Sequence, residues 1–169
     1  GGRLVSEITS KNQINLQSKS VGEGKASIVS AYFSLNESPV KEFKGRERVK
    51  LVYLIRVDSS LDGILLGYTI KDKTGLKIIE ENNIEFIKQK KIASEPGNFI
   101  VANFVFNMPI LKNGEYSVDL AIAEGSSDVY IHQNWYFDAI QFTMNPQVDV
   151  TGIFSAAPLS FEFLRLSNV

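Results

Sequence analysis

Four aromatic side chains and three hydrogen-bonding groups fall within eight residues, Tyr130-Ile131-His132-Gln133-Asn134-Trp135-Tyr136-Phe137. An aromatic plane stacks on the C–H face of a sugar ring, while amide and imidazole groups meet its hydroxyls. The mixture therefore suits a shallow carbohydrate site with an apolar floor and a few placed polar groups. The candidates are Tyr130, His132, Asn134, Trp135 and Tyr136, helped by Arg56 and Lys50 across a sheet face. Strand alternation places Trp135 and Phe137 on one face and Tyr130, His132, Asn134 and Tyr136 on the other. On that reading the same residues simply fill a core. Trp135 and Tyr136 reach one ligand only if the backbone bulges or turns between them.

Other chemistry finds less support. Gly22-Glu23-Gly24-Lys25-Ala26-Ser27 imitates a phosphate loop, but Lys19 stands where the first glycine belongs and Ala26 where the magnesium-holding hydroxyl belongs. His132 is the single histidine, which excludes a zinc site made of several imidazoles. No Gly-x-Ser-x-Gly elbow accompanies it. Glu80 and Glu81 project to opposite faces of a strand and cannot flank one bond. Cysteine is absent, so disulfides, thiolate metal sites and cysteine nucleophiles are excluded. Eighteen Lys and Arg against 19 Asp and Glu leave a formal charge of −1, without the basic excess that collects nucleic-acid phosphates. No catalytic residue, metal or cofactor is expected, and no nucleic-acid partner.

The elements that must position these groups are short β-rich runs. Gly1–Gly24 is polar and shows no sustained period, which reads as a linker or leader. From there residues 25–169 read as one β domain. Runs at Ala26–Leu35, Arg46–Val57, Gly63–Lys71, Leu76–Asn82, Asn98–Phe106, Gly114–Ala123, Val129–Met144 and Leu159–Leu166 are separated by turn residues. Asp72-Lys73-Thr74-Gly75 supplies one hairpin turn. About eight such runs without an amphipathic helix predict an all-β antiparallel sandwich, with a barrel as the alternative. Val52 and Leu54 are apolar on the otherwise polar face of their strand. A loop, a ligand or another subunit must cover them.

Three motifs in order carry a family resemblance. They are Leu65-Leu66-Gly67-Tyr68-Thr69-Ile70-Lys71-Asp72-Lys73-Thr74-Gly75-Leu76-Lys77-Ile78 ending at Asn82-Asn83, then Phe104-Val105-Phe106 through Leu111-Lys112-Asn113-Gly114-Glu115-Tyr116-Ser117-Val118, and Asp138-Ala139-Ile140-Gln141-Phe142. From about Ala26 to Phe154 the chain resembles the C-terminal domain of Wzt, the ATPase subunit of the ABC transporter that exports lipopolysaccharide O-antigen. The resemblance implies an immunoglobulin-like sandwich behind an upstream ATPase domain, binding O-antigen polysaccharide without catalysis. It further implies a cytoplasmic location beside the inner membrane, contact with the permease through the ATPase domain, and a homodimer. A purely structural dimerisation module is the rival.

Leu159, Phe161 and Phe163 share one side of the last run, an apolar stripe that must be covered. Ser155-Ala156-Ala157-Pro158 precedes it as a hinge, because proline cannot donate a ladder hydrogen bond. The expectation is a C2 dimer that exchanges residues 158–169 as a swapped edge strand.

Overall fold

The protein's structure, a computed structural model, describes residues 1–15, 17–88, 91–125 and 129–167. The elements are α1 (Gly2–Ser10), β1 (Ser20–Val21), β2 (Ala26–Leu35), β3 (Ser38–Pro39), β4 (Glu42–Phe43) and β5 (Arg48–Val57). They continue with β6 (Leu61–Asp62), β7 (Ile64–Asp72), β8 (Lys77–Asn82), α2 (Ile84–Ile87), β9 (Ala93–Ser94) and β10 (Phe99–Asn107). Last come β11 (Ile110–Leu111), β12 (Gly114–Gly125), β13 (Tyr130–Met144) and β14 (Phe154–Ser155).

Two main sheets make the expected all-β sandwich. One runs β1-β13-β12-β7-β8, with β4 pairing parallel to the end of β13. The other runs β10-β5-β2-β3. Period-two alternation sends Leu66, Tyr68 and Ile70 of β7 and Tyr116, Val118, Leu120 and Ile122 of β12 into the core. They meet Ala31 and Phe33 of β2 and Leu51, Tyr53 and Ile55 of β5. Phe33, Phe43 and Phe142 pack edge-to-face in a triangle with centroids 5.4–5.5 Å apart, the arrangement the ring quadrupoles favour.

Seven of the eight predicted runs form strands, and the eighth does not. Residues 156–167 hold no strand, and Leu159 and Phe161 are 97% and 87% exposed. The final two residues of the segment expected to swap, 168–169, lie outside the described residues. The start of the chain, read from its composition as a linker or leader, holds a helix. Gly2–Ser10 is helical, and Ile8 is buried against Tyr32, Val52 and Leu54. Thus α1 is what covers the outer face of β5, and no ligand or second subunit is needed at Val52 and Leu54. With only nine residues, α1 is too short to stand alone; its apolar side gains order by docking.

Candidate functional site: an aromatic-walled trough

The outer face of the larger sheet is a trough whose shape follows from register. Trp135 pairs with Ala121, Ala121 with Gly67, and Gly67 with Asn82, so these four lie in one row across β13, β12, β7 and β8. The two middle positions carry almost no side chain, and the row spans about 14 Å, three strand spacings. Neighbouring rows add Ala123 between His132 and Leu65, and Thr69 between Asp119 and Glu80. Tyr130, His132 and Trp135 form the wall on one side, and Glu80 and Asn82 line the other.

A bulge makes the wall. The β12–β13 register passes from Ile122↔Asn134 to Ala123↔His132, leaving Gln133 unopposed. The extra residue resets the alternation, so Tyr130 and His132 share a face with Trp135. Their rings follow one another: Tyr130 to His132 at 5.4 Å, His132 to Trp135 at 4.7 Å, and Trp135 to Phe137 at 5.8 Å. His132 Nδ1 and Trp135 Nε1 are buried and have no hydrogen-bond partner among the described residues. Buried polar atoms in folded proteins are overwhelmingly paired, so these two are exceptions within the aromatic wall. Simple alternation across β13 does not hold, and the bulge does not unite Trp135 with Tyr136.

The other candidates lie elsewhere. Tyr136 turns inward against the main core. Asn134 is buried, and its Oδ1 accepts the Ile28 N–H at 2.9 Å, tying one sheet to the other. Lys50 and Arg56 stand on the outer face of β5, in the opposite sheet, paired with Glu37 at 3.6 Å and Asp58 at 3.0 Å. They cannot assist the aromatic wall. Sequence reasoning missed Gly67, Ala121 and Ala123, because small residues in a strand offer no chemical signal until register aligns them.

The trough is braced from beneath and at one end. Tyr53, fully buried in the opposite sheet, donates its hydroxyl to the Gly67 carbonyl at 2.9 Å. Burial pushes that phenol well above its ordinary pKa. At the end, Lys71 Nζ lies 2.8 Å from Asp119 Oδ1 and 2.7 Å from Asp138 Oδ1. Asp138 sits at φ 49° beside a second register shift, its N–H donating to Asp119 Oδ1 at 2.8 Å. Hydrogen bonding to Lys71 holds the Asp138 carboxyl below the usual carboxylate range, helped by the Ser117 hydroxyl.

Residues 17–156 match the family described as the Wzt C-terminal domain. The chain belongs to that family. It is similar in fold to a crystal structure of the C-terminal domain of wzt, with a TM-score of 0.79 and 16% identity over 92% of this chain and 95% of that one. Comparison with curated protein sequences finds no match. In this Wzt C-terminal domain several motif residues have structural duties. Asn83 accepts the Leu66 N–H at 2.9 Å and donates to the Ile64 carbonyl, closing the β7–β8 ladder. Tyr116 donates its hydroxyl to the Lys112 carbonyl at 2.6 Å, and Asp72 Oδ1 accepts from Thr74 and Leu76 across the hairpin. The motifs that reveal the family thus build much of the frame, and the first of them also supplies Gly67, Thr69 and Asn82 to the trough, whereas its aromatic wall lies outside them.

Proposed function

We propose that this domain recognises O-antigen polysaccharide for an ABC exporter, binding it non-catalytically in the trough between Trp135 and Asn82. The observation that carries the reading is the combination of an aromatic wall with a floor of Gly67, Ala121 and Ala123. Sugar rings need a flat apolar partner and room to lie against it, and hydroxyl-bonding groups at the rim. Glu80, Asn82 and Thr69 supply those groups. An upstream ATPase domain would place the domain in the cytoplasm, at the inner membrane, in contact with the permease. No helix among the described residues is long and apolar enough to cross a membrane. Isothermal titration with O-polysaccharide from the encoding strain tests the reading: saturable binding supports it, and none at millimolar repeat concentration refutes it.

The exposed tail favours a structural role beside this one. Leu159, Phe161, Phe163, Leu164 and Leu166 are each more than three-quarters exposed, far more apolar surface than a free segment keeps in water. We infer that the tail from Pro158 crosses to a second copy in a C2 dimer. Polysaccharide recognition and dimerisation are then two duties of one domain.

A further inference from the structure

We infer that the trough selects glycan segments that carry no ionised group; this rests on the carbohydrate reading above. Among the described residues the trough lining holds the acids Glu80, Glu81 and Asp119 and no lysine or arginine. Among the described residues, two lysines beside the trough are already paired with acids. Lys71, 15% exposed at its side chain, is clasped between Asp119 and Asp138. Lys77 Nζ lies 3.1 Å from Glu80 Oε2 on the rim. A uronate, phosphate or sulfate entering the trough would shed water against an apolar wall and meet carboxylates without a free counter-charge. Sugar hydroxyls face the opposite situation. A carboxylate only accepts hydrogen bonds, and bonds to an ionised acceptor are the stronger kind, so Glu80 and the Asn82 carboxamide suit a hydroxyl-rich, uncharged ring. Arg56 and Lys50, the cations that an acidic ligand would want, are on the far sheet.

The test uses the full chain and O-polysaccharide released from the encoding strain, its repeat assayed for uronate, phosphate and sulfate. Affinity is measured at low and high salt, about 50 and 500 mM. The expected result is saturable binding to a repeat without ionised groups, with a Kd that changes less than about twofold across the salt range. Binding to a repeat bearing an ionised group, weakening roughly tenfold or more with salt, overturns the selectivity while leaving carbohydrate recognition standing. Absence of any binding overturns the carbohydrate reading, and the selectivity with it.

Discussion

A methyl group at Ala121 keeps the trough open. A leucine there would project from the middle of the row between Trp135 and Gly67 and occupy the space a sugar ring needs. Because the face is the sheet's outer one, Ala121→Leu is expected to leave the melting temperature within about 2 °C. It should weaken polysaccharide binding at least about tenfold, or 1.4 kcal/mol. Trp135→Ala should cost about 1–3 kcal/mol of binding, as a truncated aromatic anchor does, while Tyr136→Ala should act through stability because its ring packs inward. The Lys71 cluster makes a different expectation. Lys71→Met strips the partner from Asp119, whose side chain is 7% exposed, and should destabilise the fold by about 3 kcal/mol. Acid should act on the same cluster. The Asp138 carboxyl is held below its ordinary value of 3.8 in the folded protein. Its contribution is therefore present above that value and lost as pH falls further. Thermal melts from pH 7 to 3 should show this loss, and Asp138→Asn should reduce the slope below about pH 4.

At the scale of elements, the N-terminal strap is what sequence reading could not see. The segment is polar in composition, yet Val5 and Ile8 lie on one face of a short helix and dock together, and Asn12, Gln13 and Asn15 take their order from tertiary partners. Asn12 Oδ1 accepts the Ala31 N–H at 3.0 Å, Gln13 Oε1 accepts that of Phe33 at 3.0 Å, and the Asn15 N–H reaches the Ala139 carbonyl at 2.7 Å. A leader and a pinned strap have the same composition. The seven long strands were legible, since most turn alternate apolar residues toward the core and end at turn-forming residues, although β8 fully buries none of its own. The aromatic cluster was legible in type. Its geometry was not, because the Gln133 bulge depends on pairing with β12 and on Gly22, which lies against it. A Cβ on Gly22, at φ 139°, would fall 2.4 Å from the Gln133 carbonyl oxygen. Gly22→Ala is therefore expected to loosen β1 from β13, costing about 1–3 kcal/mol and lowering glycan affinity through Trp135, which pairs with Val21. Hydrogen exchange at Trp135 and Tyr136 would report the loosening. Ile8→Ala, by contrast, should lower stability by about 2 kcal/mol and leave affinity unchanged, since α1 covers the opposite sheet.

On the scale of the whole molecule, two outer sheet faces have separate roles: one is covered by α1 and the other is open as the trough. The tail from Pro158 belongs to neither. Deleting residues 158–169 is expected to convert a dimer into a monomer, or an aggregating chain, in sedimentation velocity. A truncated chain that remains a well-behaved dimer would place the interface elsewhere. The central claim, that the trough is where polysaccharide binds, has a direct optical reporter, because Trp135 is the only tryptophan in the chain. Its fluorescence should be followed while O-polysaccharide from the encoding strain is titrated into the native protein and into Ala121→Leu. The expected result is a saturable change in emission for the native protein that is lost in Ala121→Leu. Calorimetric binding of equal strength in both proteins, with Trp135 emission unaltered throughout, would contradict the account.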